Sequence, residues 1–148
     1  MNTPRVLIAT SRYYDHITRE LEAGAAEALA AVEAEVETIE VPGALEVPGI
    51  IAMAADSAKY DGYVALGCVI RGETSHYDHV CGESARGLMD LTIERRLAIG
   101  NGILTVENEE QALARADRKR MNKGAGAAHA CLETVSYTHL TLPTILLV

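Results

Sequence analysis

Hydroxyl, carboxylate and imidazole side chains crowd into one short stretch of the chain, Arg71-Gly72-Glu73-Thr74-Ser75-His76-Tyr77-Asp78-His79. It leaves an apolar run and enters a segment with helical spacing. Gly72 lets the backbone approach a ligand. The N–H groups around Thr74, with a helix dipole behind them, would face an anion. Thr74 and Ser75 add hydroxyls. His76 falls in the first helical turn, where its imidazole can exchange protons near neutral pH. On residues alone two readings stand: a phosphate-type site with a proton-transfer histidine, or a capped helix start with a packing histidine.

A metal reading of His76-x-x-His79-x-Cys81 is disfavoured. The two histidines share a helix face, but Cys81 is turned from His76 by more than a right angle, and no second ligand cluster exists. Tyr13 and Tyr14 could stack on a flat ring or simply pack a helix start. Glu46 could accept ring N–H groups or lie on the surface. Gly124-Ala125-Gly126 lacks the preceding strand and third glycine of a dinucleotide fingerprint. The chain carries no Walker-type lysine loop and no nucleophile elbow.

These residues need elements to position them, and the chain alternates strand and helix. Arg5–Thr10, Glu35–Val41, Gly62–Ile70 and Asn101–Val106 read as strands, the third apolar throughout and therefore central. Glu35–Val41 alternates, as expected of a strand with one more exposed face. Thr18–Ala31, Val47–Tyr60, Glu109–Arg118 (with Asn108 as its N-cap) and a segment from near Asn122 read as helices, and a loop followed by a long helix fills roughly Glu73 to Ala98. The pattern predicts an α/β fold, a three-layer α/β/α sandwich on a four-stranded parallel sheet. Ligands then bind beyond the carboxyl ends of the strands, which singles out Ser11–Tyr14, Pro42–Glu46, Arg71–His79 and Thr105–Asn108.

At 148 residues the chain reads as one domain. Its net charge of −8 argues against nucleic-acid and anionic-membrane partners, although a local arginine can still bind a phosphate. Three cysteines at irregular spacing, no apolar leader and no membrane-length run predict a soluble cytoplasmic protein. Phe and Trp are absent, so six Tyr supply every aromatic ring except the imidazoles.

The loops resemble those of the lumazine synthase family of riboflavin biosynthesis. The resemblance rests on Ser11-Arg12-Tyr13-Tyr14-Asp15, Val41–Pro48 (VPGALEVP), Gly67–Asp78 (GCVIRGETSHYD), and Asn101–Thr105 with Gln111-Ala112 and Asn122-Lys123-Gly124. It runs in family order to about Glu133. It implies a flavodoxin-like fold and a transferase that works without metal or organic cofactor. That enzyme condenses 5-amino-6-(D-ribitylamino)uracil with 3,4-dihydroxy-2-butanone 4-phosphate, giving 6,7-dimethyl-8-ribityllumazine, phosphate and water. By the same resemblance Tyr13 stacks on the pyrimidine, while Ala44, Leu45 and Glu46 bind the uracil and ribityl chain. Cys68, Val69 and Ile70 line the pocket, and Glu73, Thr74 and Arg115 hold the phosphate. His76 shuttles protons, with Lys123 nearby. Asn101 and Arg115 come from a neighbouring subunit of a pentamer-based homo-oligomer.

The chain departs from the family pattern in three places. Asn101 and Leu45 stand where many members carry Phe and Trp, and Glu73 stands where a small residue is usual. The expectation for Glu73 is an outward side chain and a contribution from its backbone alone. The family-like domain is read as residues 1–134. Val135–Thr144 (VSYTHLTLPT) is neither amphipathic nor helix-forming and resembles the in-frame translation of a transposase sequencing adapter. Residues 135–148 are therefore read as an atypical, artefactual tail. The rival readings are a non-catalytic flavin- or lumazine-binding or shell-forming paralogue, and a dinucleotide-dependent flavodoxin-like enzyme that would need the missing fingerprint.

Overall fold

A computed structural model of the chain describes residues 3–138. Four strands, β1 (Arg5–Ser11), β2 (Glu35–Val41), β3 (Gly62–Ile70) and β4 (Ile99–Val106), form one parallel sheet in the order β2-β1-β3-β4. Five helices complete the fold: α1 (Asp15–Ala31), α2 (Val47–Ala55), α3 (His76–Glu94), α4 (Glu109–Ala116) and α5 (Lys123–Thr138). The expected three-layer α/β architecture is what the chain adopts.

Strand residues sort by parity onto two cores, because successive side chains point to opposite faces. Val6, Ile8, Val64, Leu66 and Cys68 face α1, α4 and α5, burying Ile17, Leu21, Leu29, Ala112, Ala128 and Cys131. Leu7, Ala9, Tyr63 and Ala65 face α2 and α3, packing with Val47, Ile51 and Leu88. Both faces of β1 and β3 are thus covered, which is why Val6–Ala9 and Gly62–Ile70 are apolar throughout. At Gly100 a Cβ would sit 1.8 Å from the Ala127 carbonyl oxygen, so only glycine lets α5 lie this close to β4.

Three expectations are corrected. The strand β2 is exposed on both faces up to its last residue, Val41, rather than on one, because Val36 and Ile39 fall on opposite sides of an edge strand. The second helix stops at Ala55, not Tyr60. There the Arg95 guanidinium donates to the Ala52 carbonyl (3.0 Å) and the Asp56 carboxylate (2.7 Å), and Ala58 turns left-handed (φ 53°). The third helix occupies His76–Glu94 after a short loop, inside the expected loop-and-helix span of roughly Glu73 to Ala98, and Arg96 turns left-handed after it (φ 56°).

The third correction concerns residues 135–138. They continue α5 as helix, and Val135 is buried with Cys131 over Gly62. The spacing Ala128, Cys131, Val135 carries the apolar stripe past the expected break. The rest of that tail, including Pro143, lies outside the described residues. Among the described residues no helix is long and apolar enough to cross a membrane.

Candidate active site

Three of the four strand-end loops singled out by sequence meet at one cleft. The segment after β1 brings Ser11, Tyr13 and Tyr14. The turn after β2 brings Pro42, Gly43, Ala44, Leu45 and Glu46. The end of β3 and start of α3 bring Cys68, Val69, Ile70, Gly72, Thr74, His76, Tyr77 and Val80. The cavity measures about 410 Å³, a volume suited to a small organic ligand. Parallel strands of matched register make the convergence: β1 ends at Ser11 opposite Val41 of β2, and β3 runs on past it to Ile70.

Each loop has its own fastening. Arg12 forks onto Glu22, with Nε and Nη2 donating at 2.8 and 2.7 Å, while Nη1 reaches Glu40 (3.0 Å). Thr10 donates to the same Glu22 carboxylate at 2.9 Å. This knot anchors the backbone beside Tyr13, whose ring stands 76% exposed and meets Tyr14 edge-on, centroids 5.0 Å apart. Ala44–Glu46 closes as one 3₁₀ turn, with the Glu46 N–H donating to the Gly43 carbonyl (3.1 Å). At the start of α3 the Thr74 hydroxyl accepts from the His76 N–H at 3.2 Å, and Ser75 makes no side-chain cap.

The cleft therefore presents a free ring, a carboxylate, an imidazole and a hydroxyl around a neutral floor. Burial pushes the Cys68 thiol up to about 12, assisted by the Glu109 carboxylate, so Cys68 is an apolar wall and no nucleophile at neutral pH. Such a set can stack a flat heterocycle, accept its N–H groups and move a proton at one end.

Not every expected residue is here. Glu73 is exposed and does not line the cleft. Asn101, Arg115 and Lys123 line a second cavity of about 420 Å³, between β4 and α5. Arg115 is positioned by its own helix, Nη1 donating to the Gln111 carbonyl (3.1 Å). Left-handed Asn122 (φ 46°) turns the chain into Lys123. The Asn101 amide oxygen accepts from the Ile103 N–H at 2.9 Å, folding back on its own strand. Among the described residues neither Arg115 nor Lys123 has a carboxylate partner, and no Lys or Arg lines the first cleft. Within one chain the cations and the imidazole occupy separate clefts.

Sequence reasoning included Tyr77 and Arg71 in its candidate segment but gave neither a role. Tyr77 lines the cleft, and the Arg71 guanidinium stacks 4.3 Å from its ring centroid. Both lie inside the most distinctive motif, so their position was a signal, but the partner that ties Arg71 down, Glu107, is remote in sequence.

Comparison with known proteins agrees with this geometry. The family model described as 6,7-dimethyl-8-ribityllumazine synthase matches residues 3–139. A relative from Sphingopyxis alaskensis with that name is 61% identical over 127 residues, spanning 86% of this chain and 89% of its own. One from Novosphingobium aromaticivorans is 60% identical over 128 residues (86% and 91%). One from Methylobacterium radiotolerans is 59% identical over 128 residues (86% and 78%). With the three motif-bearing loops converging on one cleft and the match spanning all the described residues, the protein belongs to the 6,7-dimethyl-8-ribityllumazine synthase family.

Proposed function

We infer that the chain is a transferase catalysing the reaction of its family. It condenses 5-amino-6-(D-ribitylamino)uracil with 3,4-dihydroxy-2-butanone 4-phosphate to 6,7-dimethyl-8-ribityllumazine, with loss of phosphate and water. The observation that carries this reading is the convergence of Tyr13, Ala44–Glu46, Cys68–Ile70, Thr74 and His76 on one cleft. Imine formation, phosphate loss and ring closure mainly need two substrates held in register. Tyr13 stacks on the pyrimidine, and Ala44, Leu45 and Glu46 take its N–H groups and the ribityl chain. Cys68, Val69 and Ile70 form the floor. Thr74 and the backbone at Glu73 receive the phosphate, and His76 transfers protons during imine formation and elimination.

A leaving phosphate calls for a cation, which the first cleft lacks and the second supplies. We therefore place Arg115 and Asn101 of one chain, with Lys123 beside them, over the cleft of a neighbour in a pentamer-based homo-oligomer. Met53 of α2 and Met89 and Ile93 of α3 are exposed and suit burial between such copies. The reaction is placed in the cytoplasm, with no cofactor.

Mixing purified protein with both substrates and following lumazine fluorescence tests this reading. The expected result is turnover that falls at least tenfold in His76→Asn at unchanged fold. Binding of the product without turnover would instead identify a non-catalytic paralogue.

A further inference from the structure

We propose that Arg71 is a positioning residue for His76, acting through Tyr77 and Asp78 rather than on substrate. The proposal rests on the proton-transfer reading of His76.

Little in its own loop holds His76 in place. Among the described residues its imidazole makes no hydrogen bond or ion pair, Ser75 gives no side-chain cap, and Gly72 stands in open space. Among the described residues the Thr74 hydroxyl on the His76 N–H is the one side-chain tie from its own loop. The residues immediately after His76 are held differently. The Arg71 guanidinium lies over the Tyr77 ring at 4.3 Å, reaches Asp78 Oδ1 at 3.5 Å through Nη1, and donates from Nε to Glu107 Oε2 at 2.5 Å. Its backbone N–H donates to the Val106 carbonyl (2.9 Å), extending the β3–β4 ladder by one residue.

One planar group thus joins the ends of two strands to the first turn of α3. The rotation of that turn decides where the imidazole at its N-terminus points. Glu107 raises the Arg71 pKa, so the clamp stays charged across any working pH. A lysine could keep one ion pair but has neither the flat face for Tyr77 nor the fork for two carboxylates. The three ion-pair partners are more than two-fifths exposed, so the pairs themselves add little to stability and Arg71 can be replaced without unfolding the chain.

The test is a double-substitution cycle on the intact, assembled protein, with circular dichroism and light scattering as controls. Arg71→Ala is expected to lower kcat roughly 10- to 100-fold, the size of effect a misplaced catalytic group produces, while KM for the ribitylaminouracil stays within about twofold. Arg71→Lys should recover little. In the His76→Asn background the Arg71→Ala loss should vanish, and the kcat–pH limb that His76→Asn abolishes should be displaced in Arg71→Ala. Equal losses in both backgrounds would overturn the proposal. Full activity in His76→Asn would overturn the proton-transfer reading itself, and the proposal with it. Should Arg71→Ala fail to assemble, the same cycle run with Arg71→Lys and Tyr77→Leu decides by the same criterion.

Discussion

Cys68 and Glu73 sit in the chemistry-bearing loops, and their surroundings give them opposite characters. Cys68 is buried at the end of the central strand, where its neutral thiol shapes the floor of the cleft. Glu73 points its charge into solvent, beside the backbone that receives a phosphate in the proposed complex. A carboxylate there offers an anionic substrate only repulsion, weakened by water. Glu73→Ala should therefore leave kcat within about twofold and should not raise KM for the butanone phosphate. Steady-state kinetics at low ionic strength gives the sharpest reading, and a tenfold loss of kcat would show that the carboxylate itself takes part.

Among the elements, the strands were the most readable from sequence and the helix ends the least. A strand covered on both faces, as β3 is, must be apolar throughout, so its pattern names it. Helix termini depend on distant groups. Arg95 closes α2 from the far end of α3, and no local pattern in Val47–Tyr60 announces it. The site divides the same way: Tyr13, Glu46 and His76 follow from the rule about strand ends, whereas only the family resemblance set Arg115 of α4 apart from His76, and the shape of the second cavity depends on how β4 and α5 lie. Gly100 controls that placement. Gly100→Ala should cost about 3 kcal/mol or more, because the new methyl meets a backbone carbonyl that has no alternative rotamer. Urea denaturation will show a fall in midpoint, and an unchanged midpoint would mean that α5 can slide.

For the whole molecule, two consequences concern assembly and pH. If one chain supplies the imidazole and its neighbour the arginine, His76→Asn and Arg115→Ala proteins should each be nearly inactive alone. Unfolding and reassembling them together at equal amounts should then restore about a quarter of the wild-type sites. No recovery from a verified mixed oligomer would place both residues in the same chain's site. Stability should also fall in alkali. Burial raises Cys68 and Cys131 from the ordinary value of 9.0 to about 12, and burial raises Tyr14 and Tyr63 as well. The unfolded chain loses these protons first. The stabilisation is complete below pH 9 and drains between pH 9 and 12, at roughly 1.4 kcal/mol per pH unit for each thiol. Thermal melts across that window should show the decline, and Cys131→Ala should make it shallower, leaving the share of Cys68, Tyr14 and Tyr63, while lowering stability at neutral pH.

The tyrosine ring beside Arg12 has an optical consequence as well. The chain contains no tryptophan, so its ultraviolet emission comes from six phenols. Tyr13, Tyr14 and Tyr77 are on the walls of the cleft, whereas Tyr60 and Tyr63 pair elsewhere. If a fused heterocycle that absorbs where tyrosine emits stacks on Tyr13, as proposed, it will drain excitation from the rings around it. The molecule would then carry its own occupancy gauge, readable without a label and without turnover.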